Sequence, residues 1–268
     1  MNNLFFVIPA VTAYLFSVAF IIYRLIKANP ESPSRWIGIG LCFSGLLFHV
    51  LFLYADIRVA GGINLGFFNA ISLVAWTILL LLMISSINKP VEVLGIPILP
   101  LAGLTVIFQY MFPAAHFMGT GTSWGLVAHV MISIFAYSLL ALASVQAVAL
   151  AIQDHQLHNR HPGGLIRALP PLQTMELLLF EMIGLGFFLL TLSLASGFYF
   201  LENMFQQHLV HKTILSLVAW VVFGILLIGR FRYGWRGRTA ISWTLAGFML
   251  LMVAYFGSKF VIEMLLTR

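Results

Sequence analysis

Residues 124–152 read WGLVAHVMISIFAYSLLALASVQAVALAI, without a single Asp, Glu, Lys or Arg. A run of that length exceeds the roughly 20 residues a helix needs to cross the hydrocarbon of a bilayer. The pattern recurs on both sides of it. Apolar residues make up 61% of the 268 and charged residues only 8%, against about 25% in an ordinary soluble domain. A surface so poor in charge excludes a soluble enzyme, a disordered chain and a nucleic-acid binder. The formal charge of +6 is no nucleic-acid footprint either, because the basic residues fall in short gaps between the apolar runs. The composition predicts an all-α polytopic membrane protein.

Eight runs are long enough to span, near Phe5–Ile26, Trp36–Tyr54, Gly66–Ser86, Leu94–Phe112, Trp124–Ile152, Met175–Phe200, Thr213–Gly229 and Ala240–Leu265. They predict one transmembrane domain over 1–268, a bundle of eight helices with no internal repeat and no soluble domain. The first run has no basic segment before it, and Arg24, Lys27 and Arg35 follow it, so it reads as a span rather than a cleaved signal peptide. The gaps after the first, third, fifth and seventh runs hold Arg24, Lys27, Arg35, Lys89, Arg160, Arg167, Arg230, Arg232, Arg236 and Arg238; the other side holds Arg58, Lys212, Lys259 and Arg268. The excess of positive charge belongs in the cytoplasm. That rule predicts both termini on the outer, periplasmic side and a multi-pass protein of a bacterial inner membrane. Cys42 is the one cysteine, which leaves no internal disulfide, no CxxC pair and no thiolate zinc site.

On this orientation the eight histidines sort by side. His155, His158 and His161 fall in the long gap 153–174, which reads as a solvated cytoplasmic loop because Pro162, Gly163 and Gly164 interrupt any helix that would align them. His49, His116, His129, His208 and His211 lie at or near the outer side. A histidine at hydrocarbon depth is costly and marks a functional site by default. His49 and His129, at matched depth on two helices, read either as paired axial ligands of an iron macrocycle or as interhelical hydrogen-bonding groups. Gly38, Cys42, Gly45 and His49 share one helix face, and small residues there admit close packing. His129, Ser133 and Tyr137 form a polar seam at spacing four, in which the positions below Ser133 read as packing. Arg58, Lys212 and Lys259 stand near the outer helix ends, where they would meet anionic propionates or serve as ordinary snorkelling residues. Glu176 and Glu181, in the first turns of the sixth run, read as partners of loop arginines. No phosphate loop, GxSxG elbow or HExxH motif occurs.

Several segments resemble the cytochrome c assembly superfamily, the haem-handling membrane proteins of c-type cytochrome maturation. These are IGLGF at 183–187, Leu190–Thr191 and Ser196–Gly197; Trp220; GWRG at Gly234–Gly237; Gly247–Phe248; Tyr255–Phe256–Gly257; Val127–Tyr137; and, more weakly, Gly62–Trp76. The chain is most similar to the small YpjD/HemX-like inner-membrane branch. The resemblance implies haem b bound near the outer face, with His129 at a family ligand position. It also implies a second ligand from His49, preferred on depth, or from His211, which adjoins Lys212. The tryptophan-rich loop of the family's synthases is replaced by FLENMFQQHLVHK at 200–212, a second family histidine falls on Ile228, and a third has no counterpart. These departures argue against attachment of haem by this chain itself. The expected role is holding haem or handing it to a partner membrane protein or haem acceptor, rather than catalysis. The alternative is a haem-free accessory or regulatory membrane subunit. A solute transporter is disfavoured, since paired broken helices and intramembrane acids are not evident.

Overall fold

The computed structural model describes residues 3–27, 33–59, 62–113, 117–118, 124–159, 169–200 and 207–257. Among them, eight helices are long and apolar enough to cross a membrane. They are α1 (Leu4–Ile26), α2 (Arg35–Ile57), α3 (Phe67–Asn88), α4 (Gly95–Met111), α5 (Trp124–His158), α6 (Leu172–Phe200), α7 (Gln207–Tyr233) and α8 (Gly237–Met252), the last prolonged by a π-helical turn over Val253–Gly257. Hydrocarbon offers no partner to a backbone N–H or C=O, so helices are the form such apolar runs take. The chain divides into two compact units, one of residues 1–120 with 160–170 and one of 121–159 with 171–268.

Three differences from the sequence expectation have local causes. The chain is not purely helical. Short strands β1 (Arg58–Val59), β2 (Gly62–Asn64) and β3 (Phe117–Met118) form an antiparallel sheet in the first unit, pairing Arg58 with Ile63, Val59 with Gly62, Ile63 with Met118 and Asn64 with Phe117. Two or three residues are too few for an alternating pattern to register. Helix α5 continues through Gln153–His158, because its first breaker, Pro162, comes later. His155 and His158 therefore lie on its last turns rather than in a loop, and His155 Nε2 accepts a hydrogen bond from Asn159 Nδ2 at 3.1 Å. Helix α7 begins at Gln207, ahead of the expected Thr213, which puts the backbone of His208 and His211 on the helix. His116, His161 and Lys259 lie outside the described residues.

In the first unit α1 packs on α2 and α4, and α3 packs on the same two, closing a four-helix bundle. The predicted small-residue face of α2 meets α1: a Cβ on Gly45 would stand 2.6 Å from the Tyr14 ring, and one on Gly38 would stand 2.9 Å from Phe20. That close approach lets polar groups meet across helices. Ser17 Oγ donates to the Gly38 carbonyl at 2.9 Å, and Trp76 Nε1 donates to the Leu46 carbonyl at 2.9 Å. His49 is wholly buried, with Nδ1 3.0 Å from the Tyr14 hydroxyl and Nε2 2.8 Å from the Ser72 hydroxyl. One imidazole thus ties α1, α2 and α3 together. At the basic end Glu92, only 7% exposed, lies between Arg24 (3.5 Å) and Arg35 (3.2 Å). Arg35 also donates to the Ser86 and Lys89 carbonyls at the end of α3, where a cation suits the helix dipole.

The second unit closes in the same cyclic order, α5 on α6 and α8, and α7 on α6 and α8. Its α7–α8 corner accounts for GWRG. Gly234 adopts φ +66°, and its N–H donates to the Arg230 carbonyl, the single bond of an αL helix ending, while that of Trp235 donates to the Gly229 carbonyl. The Trp235 ring then covers Gly229 so closely that a Cβ there has no room. Gly237 has φ +51°. Its N–H donates to Glu176 Oε1 at 2.7 Å and Arg236 Nε donates to Glu176 Oε2 at 3.2 Å, so a carboxylate from α6 caps the start of α8. Glu176 thus finds the loop arginine expected for it.

Two substitutions probe the first unit, each read by denaturant unfolding in detergent. Tyr14→Phe strands a nitrogen of the buried His49 and is expected to cost about 1–2 kcal/mol. Gly45→Leu overpacks the α1–α2 contact and is expected to cost about 1–3 kcal/mol. Gly40→Leu, where nothing stands within 4 Å of the added Cβ, should be near neutral; equal losses at the two glycines would contradict the packing described.

Candidate functional site

His129, the intramembrane histidine with a ring nitrogen open among the described residues, is on α5. His129 lies in the second turn, half-buried against the far end of α6. Its Nδ1 is 2.9 Å from Ser196 Oγ, and Ser196 Oγ donates to the Ser193 carbonyl at 2.9 Å. One turn on, Ser133 Oγ donates to the His129 carbonyl at 2.7 Å and lies 2.7 Å from Ser193 Oγ. His129 Nε2 makes no hydrogen bond among the described residues. Small side chains permit this approach: Leu140 packs where a Cβ on Gly186 would stand, at 2.7 Å, and Phe200 lies against Gly125.

The expected seam therefore splits. His129 and Ser133 face α6, whereas Tyr137 turns toward α8, with ring centroids 5.4 Å from Phe248, 5.9 Å from Tyr255 and 5.3 Å from Phe256. An aromatic cluster thus sits two turns below His129, where α8 passes into its π-helical turn. On the other flank of α6, Trp220 stacks on Phe187 at 5.5 Å and donates to Thr191 Oγ1 at 2.9 Å. These contacts give Trp220 and Thr191 a packing role between α6 and α7.

The other predicted site residues fall as follows. In the second unit, α5 begins, α6 ends and α7 begins at one end, so His129, Ser196, His211 and Lys212 all belong to that end. Lys212 is half-buried; the His211 side chain is outside the described residues. Arg58 lies on β1 in the first unit, its side chain likewise outside them. His49 belongs to the first unit, and both its nitrogens already have protein partners. Ser193 and Ser196 were not singled out as site residues. Their signal was a spacing of three on the sixth run, complementary to the spacing of four between His129 and Ser133. Among the described residues no three His, Cys, Asp or Glu side chains cluster as a metal site.

An imidazole nitrogen without a partner among the described residues, with its ring held by a hydroxyl, is a donor able to ligate a metal. Comparison with known proteins identifies the family. The cytochrome c assembly protein family matches residues 39–266. The inner membrane protein YpjD of Escherichia coli (strain K12) is 32% identical over 263 residues, 97% of this chain and 98% of that protein. Protein HemX of Brevibacillus brevis is 26% identical over 161 residues, 58% of this chain and 59% of its own. The cytochrome c biogenesis protein CcsA of Mesostigma viride is 25% identical over 158 residues, 51% and 52% of the two chains. No solved structure matches the chain significantly. With the family matched over most of its length and eight helices able to span, this chain belongs to the cytochrome c assembly proteins and is a multi-pass protein of the inner membrane.

Proposed function

We propose that this protein acts in cytochrome c biogenesis by holding haem b near the outer face of the membrane and passing it to a partner membrane protein or haem acceptor. Family membership supports the pathway. The observation that carries the haem reading is His129, whose Nδ1 is engaged by Ser196 while Nε2 is unbonded among the described residues. Two turns along α5 the aromatic cluster of Tyr137, Phe248, Tyr255 and Phe256 offers an apolar surface of the kind a macrocycle packs on. When bound, haem supplies the iron that two imidazoles coordinate. His129 is one ligand. His211 is the better second ligand, since it starts α7 at the same end of the same unit, whereas His49 would have to give up Tyr14 or Ser72. Lys212, at the same end of the second unit, would meet a propionate.

The same reading sets both termini outside. The Lys/Arg distribution supports it. Alkaline phosphatase fused after Arg268 should be active and a fluorescent protein there dark; the reverse pattern would invert the topology and move His129 to the cytoplasmic side.

The haem test is an absorption spectrum of protein purified in detergent from haem-replete cells. Wild type should show a Soret band, and His129→Ala and His211→Ala should each lose it, with His49→Ala retaining it. Loss in His49→Ala with retention in His211→Ala would transfer the second ligand to His49. A folded wild-type protein without a Soret band would overturn the proposal in favour of a haem-free accessory subunit.

A further inference from the structure

Four residues, His129, Ser133, Ser193 and Ser196, form a closed hydrogen-bonded circuit between α5 and α6, and proton counting fixes its direction. A serine hydroxyl has one proton to donate. Ser133 Oγ spends its proton on the His129 carbonyl, so in the 2.7 Å contact between Ser133 and Ser193 the donor is Ser193. Ser196 Oγ spends its proton on the Ser193 carbonyl, so in the 2.9 Å contact with His129 the hydroxyl accepts and Nδ1 carries the hydrogen. A neutral imidazole protonated at Nδ1 leaves the lone pair on Nε2, the nitrogen without a partner among the described residues.

We infer that Ser196 is a positioning residue that holds His129 as the Nδ1–H tautomer and presents Nε2 as a metal-ligating nitrogen. The tautomer follows from the circuit alone; its use toward iron rests on the haem reading above. An orienting acceptor on the distal nitrogen fixes ring rotation and raises ligand basicity. Ser193 is the natural contrast. It belongs to the same helix pair, but it holds Ser196 through its backbone carbonyl, which survives Ser193→Ala.

The test uses apo protein labelled with nitrogen-15 histidine in lipid nanodiscs, with His129 assigned by its loss in His129→Ala. Wild type, Ser196→Thr and Ser193→Ala should show Nδ1 protonated and Nε2 bare, and Ser196→Ala, which leaves only the Ser193 carbonyl as an acceptor near the ring, should shift the tautomer balance toward Nε2–H. In haem titrations Ser196→Ala should weaken binding about 10–100-fold and raise the reduction potential, while Ser196→Thr restores both and Ser193→Ala changes neither. Nε2 protonated in wild type, or Ser196→Ala and Ser193→Ala behaving alike, would overturn the inference. The nitrogen spectra read out without haem. A wild-type protein with the Nδ1–H tautomer that binds no haem would therefore sink the haem reading while leaving the positioning role standing.

Discussion

A hydroxyl, imidazole or carboxylate inside hydrocarbon has no water to turn to, and much of this structure follows from that constraint. Serines on α5 and α6 and Thr244 on α8 return their protons to carbonyls of their own helix or bond a neighbouring helix. Indole N–H groups of Trp76 and Trp220 reach an adjacent helix rather than lipid. The two buried carboxylates among the described residues, Glu92 and Glu176, take guanidinium partners at helix ends. Such bonds need close helices, so small residues and polar residues occur together: Gly45 beside the Tyr14–His49 contact, and Gly186 on the α5–α6 face that carries Ser133 and Ser193. Packing by dispersion and hydrogen bonding by proximity are two results of one approach distance.

The same constraint separates the two intramembrane histidines. His49 is saturated, and its ring works as a three-helix clasp. His129 is held on one side only. Depth and residue type made them equivalent in the sequence, and the environment divides them. A histidine that spends both nitrogens on its own protein stabilises a fold, whereas one that spends a single nitrogen retains a lone pair for chemistry.

The eight spans were legible because uninterrupted apolar runs beyond about 18 residues have few alternatives in a membrane. The α2 face of Gly38, Cys42, Gly45 and His49 was legible for a similar reason: spacings of three and four fix which residues share a side. The partners of that face were not. Tyr14 and Ser72 are 35 and 23 residues from His49, and periodicity on one helix carries nothing about the register of the next. Ser196 escaped notice on the same ground, although it stood within a recognised family segment. The end of α5 was misread because a polar composition, QDHQLH, was taken for a loop although nothing in it breaks a helix. The sheet was missed because pairing, rather than any pattern within two or three residues, defines it.

The α7–α8 corner has a consequence for biosynthesis. Its backbone hydrogen bonds are local, from Gly229 to Gly237, and its partners on α6, Phe180 under Arg230 and Glu176 on Arg236, are made some 50 to 60 residues earlier. Chains emerge N-terminal end first, so the carboxylate that caps α8 is already in the membrane before α8 is made. The corner can close as soon as Gly237 leaves the ribosome, and α8 then enters beside helices that have been waiting for it. The second bundle is thus completed by its last strut, like an arch that locks only when the final stone arrives.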